Sequence, residues 1–298
     1  MKLKLAVKWE VKVEGDERSI QLYDTEDNSL KGEEAMWEGD FDAFNKRLTS
    51  LEGAPRVVGG YFNCSFNKLT NLKGAPKEVR GSFDCSYNKL TTLSGSPEIV
   101  KGDFYIHNNE LTSLKGSPKE VGKNFRCSYN RLDSLIGAPK KVGGVFYCCN
   151  NRLTSLEGAP KMVGTSFSCS NNQLTSLEGA PEIVVGDFYC CDNKLTSLEG
   201  APRVVKGDFD CSNNPLTSFE GASKKNWIVK MNNKIEVLSE QEEIAIEQAA
   251  DEAAAELFGD YENLDSEQAD RFLEYKSIFT KGMRTGIMFE RVKKEKSL

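Results

Sequence analysis

The chain has 298 residues, a formal net charge of −6 at pH 7 and 39% hydrophobic residues, enough for a substantial core. The acidic balance weighs against nucleic acid as the default partner. No apolar run is long enough for a transmembrane helix, and Lys2, Leu3, Lys4 and Leu5 alternate where a signal peptide would have an apolar block, so the expectation is a cytoplasmic protein without a membrane partner.

Residues 1–38 read as an N-terminal β-hairpin cap. Leu3, Leu5, Val7, Trp9, Val11 and Val13 alternate with polar residues, the two-residue period of a half-buried strand. Glu14, Gly15 and Asp16 supply a turn and Ser19 to Tyr23 a second strand, so the pair can cover a first apolar rung at Phe41 and Leu48.

Residues 39–221 are repetitive. A leucine recurs every 21 residues, nine times without a slip, at Leu48, Leu69, Leu90, Leu111, Leu132, Leu153, Leu174, Leu195 and Leu216. A fixed period in this range marks a solenoid. A phenylalanine stands seven residues before each leucine, from Phe41 to Phe209. An asparagine stands two before in eight turns, Asn67 to Asn214, with Lys46 in its place in the first. Leu51 through Leu198 follow three after, then Phe219 in the ninth turn. A glycine comes five after, a proline seven after in eight turns, and Val58 to Val205 ten after.

These positions carry a physical reading. Phe62 and Cys64 point to one face of a short strand, and Tyr61, Asn63 and Ser65 to the other. A strand repeated in this way pairs in parallel with the next turn at about 4.8 Å. The asparagine then becomes a buried amide able to hydrogen-bond backbone groups. Gly74 and Pro76 break any helix before the next phenylalanine, which predicts turns or extended chain on the opposite side.

Seven of the nine cysteines (Cys64, Cys85, Cys127, Cys148, Cys169, Cys190 and Cys211) occupy the inward position five before the leucine, with Ala43 and Ile106 in the remaining turns. They read as small buried hydrophobes. Cys149 and Cys191 lean outward, two turns apart, too far for a disulfide. With one histidine and no C-x-x-C pair, neither a metal nor another cofactor is expected.

Residues 222–238 read as a degenerate terminal repeat. Ile228, Asn233, Ile235 and Leu238 keep the spacing, with Lys230 at the cysteine place to stop the ladder. Residues 239–298 read as a C-terminal helical hairpin. Ser239 and Glu242 form a capping box before an alanine-rich run to Phe258, and Gly259 ends the first helix. A second helix from about Ser266 carries Phe272, Phe279, Met283 and Ile287 on one face, with Arg284, Arg291, Lys293, Lys294 and Lys296 near its end.

The stretch from Phe62 to Leu72 spells F-x-C-x-x-N-x-L-x-x-L, which resembles the leucine-rich repeat with Phe and Cys at its first two apolar places. The Leu-Thr-Ser-Leu-Glu-Gly-Ala-Pro segment is similar to the short repeats of bacterial secreted effectors, though it lacks their first proline and carries one extra residue. Near-identical repeats are, by this resemblance, common in bacteriophage proteins. The fold it implies is an α/β-type leucine-rich-repeat solenoid. Short parallel strands would line the concave face, opposite a non-helical convex side. The resemblance also implies the cytoplasm of a bacterium or of an infected host cell. Effectors of this type can carry a ubiquitin-ligase domain, but only residues 239–298 remain for one and all nine cysteines lie in the repeats.

Function is expected in the stripes that vary. Eight before the leucine stand Tyr61, Ser82, Asp103, Asn124, Val145, Ser166, Asp187 and Asp208; six before stand Asn63, Asp84, Tyr105, Arg126, Tyr147, Ser168, Tyr189 and Asp210. Three before, Phe66, Tyr87 and Tyr129 alternate with asparagines and Asp192, and His107 interrupts a mostly serine row. The expected partner-binding set is Tyr61, Asp84, Asp103, Tyr105, His107, Arg126, Tyr147, Asp187, Tyr189, Asp208 and Asp210, rigid aromatics among carboxylates. The basic stripe Lys68, Lys89, Arg131, Arg152 and Lys194 reads as a solvated edge. No catalytic constellation is present in the sequence. The expectation is therefore a non-enzymatic protein-binding solenoid, with a bacterial host protein or antiviral factor as the partner that a phage protein would inhibit. The alternative is an assembly protein that oligomerises through its C-terminal helices.

Overall fold

The computed structural model describes residues 3–217 in full and the strands Ile228–Met231 and Lys234–Val237 through their backbone. The helices expected over 239–298 lie outside the described residues.

The repeats form a parallel β-solenoid with 21-residue turns, similar in kind to a leucine-rich repeat. Each phenylalanine opens a two-residue strand, and these pair in register, Phe83 with Phe62 on one side and Phe104 on the other. Together with the two backbone-described strands they make an eleven-stranded sheet. The side opposite, expected as turns or extended chain, has extended pieces that pair. Val57–Val58, Glu78–Val79 and their equivalents to Val204–Val205 stack into a second sheet of ten strands, headed by Lys4–Leu5 and Ala35–Trp37. The α/β class expected from the repeat type is therefore corrected: two parallel sheets enclose the core. Among the described residues the helical content is one 3-10 turn, Gly32–Glu34. The reason is local. The glycine after each second leucine adopts positive φ, from 79° at Gly200 to 102° at Gly116, and a proline follows two residues later. Neither is compatible with a helix, and two residues then remain to pair along the stack.

The core is a set of one-residue ladders. Phe41 through Phe209 are fully buried, and successive ring centroids lie 4.9 to 5.9 Å apart. Beside them run the buried leucines and the buried Cys64, Cys85, Cys127, Cys148, Cys169, Cys190 and Cys211. All nine cysteines are free thiols. The asparagine ladder ties turn to turn. Asn109 accepts the Leu90 N–H and donates to the carbonyls of Cys85 and Ile106, one in the preceding turn and one in its own.

At the N-terminus, Lys8–Glu14 and Glu17–Tyr23 pair antiparallel across Gly15, with Ser29–Leu30 as a third strand. Trp9 packs on Phe41 at 4.9 Å and Trp37 meets the same ring edge-on at 5.2 Å, so indoles close the phenylalanine stack. The burial differs from the expected alternation: Leu5, Val7 and Val13 are exposed, whereas Ile20, Leu22 and Leu30 are buried. The second strand is the one that docks. Ile20 N–H donates to Glu52 O, Thr49 N–H donates to Arg18 O, and Arg18 N–H donates to the Thr49 hydroxyl oxygen, leaving the first strand outermost.

The terminal repeat also differs in register. The repeat spacing places Ile228 opposite Phe209, but the sheet pairs Val229 with Phe209 and Lys230 with Asp210. Ile228–Met231 then pairs antiparallel with Lys234–Val237. The parallel ladder thus ends in a hairpin rather than in a further turn.

Candidate binding face

The outer row of the phenylalanine strands runs, in paired order, Asp42, Asn63, Asp84, Tyr105, Arg126, Tyr147, Ser168, Tyr189 and Asp210. Strand alternation turns these side chains outward because Phe and Cys on either side turn in. Arg126 lies between two tyrosines of its own row, its guanidinium carbon 5.3 Å from the Tyr105 ring and 5.5 Å from the Tyr147 ring. His107 is half-buried, edge-on to Tyr87 at 5.4 Å, with Nδ1 2.8 Å from the Asn108 amide. Burial lowers its pKa, against a smaller upward pull from Asp84, so the imidazole is neutral at pH 7.

The carboxylates of the expected site have structural work. Asp103 Oδ1 accepts the Asn124 backbone N–H at 3.0 Å and Oδ2 accepts the Ser82 hydroxyl at 3.1 Å. Asp187 Oδ1 accepts the Asp208 N–H at 2.9 Å, and Oδ2 accepts the Tyr189 hydroxyl at 2.9 Å. Asp40 holds the Tyr61 N–H, and Asn124 the Val145 N–H, in the same way. The row eight before the leucine is therefore a second side-chain ladder in which Asp40, Ser82, Asp103, Asn124, Ser166 and Asp187 each cap the next turn, with Tyr61 and Val145 as interruptions. One row over, Asp84 and Asp210 each accept the backbone N–H and hydroxyl of a serine two residues on. Burial pushes the Asp103 carboxyl up, but hydrogen bonds from Asn124 and Ser82 outweigh it and hold the group below its usual range. Tyr189 is pushed up to about 12 by burial, by its bond to Asp187 and by the charges of Asp187 and Asp208. Asp103 so keeps its charge while fixing the backbone beneath it.

A feature absent from the expected site runs beside it. The residue three before the leucine has positive φ in every turn, between 52° and 57° from Asn45 to Asn213. Asparagine and aspartate tolerate that region; Phe66, Tyr87 and Tyr129 do not do so readily. Yet these rings are 46%, 43% and 56% exposed. Phe66 and Tyr87 stack at 4.2 Å and 13°, Phe44 meets Phe66 edge-on at 5.3 Å, and Tyr87 leads on to His107. Phe44, Phe66 and Tyr87 so form an exposed strip that leads through half-buried His107 to the Tyr105 ring, 6.2 Å from the imidazole, while Tyr129 stands apart further along the row. The signal in the sequence was an aromatic standing where sibling turns have asparagine.

Other surfaces are internally balanced. On the valine sheet, Lys77–Glu98, Glu120–Lys141 and Lys161–Glu182 pair between adjacent turns at 3.2 to 3.5 Å. In the basic stripe, Arg131 pairs with Glu110 at 3.1 Å. Cys149 and Cys191 are half-buried and donate to the hydroxyls of Ser168 and Ser170 at 2.9 and 3.0 Å. A cleft of about 530 Å³ between the N-terminal hairpin and the glycine turns carries mixed charges, including Lys31, Arg56, Glu33 and Glu52. Among the described residues, no three His, Cys, Asp or Glu side chains are placed to hold a metal ion, and no helix is long and apolar enough to cross a membrane.

The chain matches no protein-family model and no curated protein.

Proposed function

We propose that this solenoid is a non-enzymatic protein-binding scaffold whose partner lies along the outer face of the phenylalanine strands. The observation that supports this reading is the exposed strip Phe44, Phe66 and Tyr87, with exposed Tyr129 further along the row of Phe66 and Tyr87; those last three residues sit at positive φ. Strained backbone under an exposed aromatic, where sibling turns carry asparagine, points to a use elsewhere. Rigid aromatics with a neighbouring arginine are the residue types that dominate protein interfaces. The resemblance of the repeats to bacterial and bacteriophage leucine-rich repeats favours a bacterial host protein as the partner, held in the cytoplasm and inhibited by the contact.

Affinity capture with the full chain and with a Phe66→Asn/Tyr87→Asn variant tests the reading. Asparagine already occupies this position in sibling turns, so the variant keeps its fold. A protein captured by the wild type and lost by the variant is the expected result; equal capture by both rejects the face.

A further inference from the structure

The outer row contains the same arrangement twice, and in one of the two the middle place is left small. Tyr105 and Tyr147 flank Arg126; Tyr147 and Tyr189 flank Ser168. In the first, the chain's own guanidinium stands 5.3 and 5.5 Å from the two rings. Residues two turns apart on a parallel sheet are separated by about 9.6 Å, which puts a planar group midway at about 4.8 Å from each ring. That is the spacing of a cation–π sandwich. In the second, the serine reaches no further than its hydroxyl, which accepts from Cys149 Sγ at 2.9 Å.

The charge around the two places differs in a way that fits this asymmetry. At the first, the charges of Asp103 and Arg126 act on Tyr105 in opposite directions; at the second, Asp187 accepts the Tyr189 hydroxyl and the charges of Asp187 and Asp208 both act on Tyr189. Burial first, then the Asp187 bond and the charges of Asp187 and Asp208, push Tyr189 up to about 12. A cation is favoured there, and a guanidinium over an ammonium, because only the planar fork stacks on two rings while meeting carboxylates.

We propose that Tyr147, Ser168 and Tyr189 form a subsite for an arginine side chain presented by the partner protein, which would stand where Arg126 stands two turns earlier. This rests on the reading of the face as protein-binding and specifies what the partner brings to it. Ser168 is 6% exposed, so the guanidinium enters as the flanking tyrosines swing outward, a rotamer change of the kind common on binding.

The test uses the full chain and short blocked peptides that differ at one residue: arginine, lysine or citrulline, the neutral isostere. Titration calorimetry or chemical-shift perturbation should show saturable binding of the arginine peptide, weaker by about tenfold with lysine and lost with citrulline. Tyr189→Ala should weaken binding by at least about tenfold. Ser168→Arg fills the place from within, as Arg126 does in its own turn, and should abolish binding while leaving both tyrosines intact. An arginine peptide that fails to saturate, or that binds Ser168→Arg as well as wild type, overturns the subsite. If capture of the partner still depends on Phe66 and Tyr87 in that case, the protein-binding reading survives without it. An arginine peptide blocked by Ser168→Arg supports the subsite even if capture ignores Phe66 and Tyr87, and the strip reading then fails alone.

Discussion

Asn130 belongs to one turn and holds another: its Oδ1 accepts the backbone N–H of Leu111, in the turn before, at 3.0 Å. Its amide donates to Ile106 O in that preceding turn and to Cys127 O in its own. Removing the side chain leaves these buried groups without it, at about 1–3 kcal/mol each. Asn130→Ala should therefore lower stability by on the order of 3 kcal/mol or more, measured by denaturant unfolding. The ladder also explains its exception. Lys46 stands in the first turn, where no earlier repeat offers a backbone to hold, and Asn67 already serves Lys46 N and Leu48 N. Lys46→Asn should leave stability unchanged, and a gain comparable to the Asn130 loss would show that the asparagine works within its own turn.

That pair also shows what was legible in the sequence. Positions whose role is burial repeat identically, so Phe62, Cys64, Leu69 and Asn67 could be assigned by period alone. Contacts between turns are harder. An Asp103 carboxylate capping Asn124 N spans 21 residues and looks, in one dimension, like a free acidic group on a binding face. The second sheet was hidden because Val57–Val58 is two residues between a proline and two glycines, too short for any alternation. The row of Phe66, Tyr87 and Tyr129 was visible as residues but not as strain, since the need for positive φ appears only in the backbone.

Adjacent cysteines should respond in opposite ways to a charge. Cys148 is fully buried, and burial pushes its thiol well above the ordinary range; Cys149, the next residue, is half-exposed. A carboxylate at 148 would lie in the core without a partner, which costs several kcal/mol, whereas at 149 water solvates it. Cys148→Asp should lower the melting midpoint sharply and Cys149→Asp little. Equal midpoints would refute the inward assignment. Thiol labelling of the native wild type gives a second check: Cys149 and Cys191 should react first, and the seven rung cysteines only on unfolding.

Tyr189 should titrate late. Its folded-state pKa of about 12 exceeds the usual 10.0, so the folded protein holds this proton more tightly than the unfolded chain. The resulting stabilisation is present in full below pH 10 and is lost as pH rises from 10 through 12. Absorbance near 295 nm should resolve one phenolate forming well above the rest, absent in Tyr189→Phe. Asp187→Asn should bring it down, since burial acts together with the Asp187 bond. No change in that variant would leave burial and the Asp208 charge as the causes.

Tyr129 offers the cleanest separation of strain from function. It sits at φ 56°, 56% exposed, and among the described residues makes no ring contact. Asparagine holds the same place in the turns of Asn108 and Asn150. Tyr129→Asn relieves about 1 kcal/mol of backbone strain and gives up no stacking, so the melting midpoint should rise by about 2–4 °C. Tyr87→Asn relieves as much but forfeits its stack on Phe66, worth about 0.5–1.5 kcal/mol, and should be near neutral. Both variants should nevertheless bind the partner more weakly. A stability gain with a binding loss identifies the aromatic as kept for contact; a Tyr129→Asn protein that melts lower would show that the ring supports the fold and would remove the strain argument for the strip.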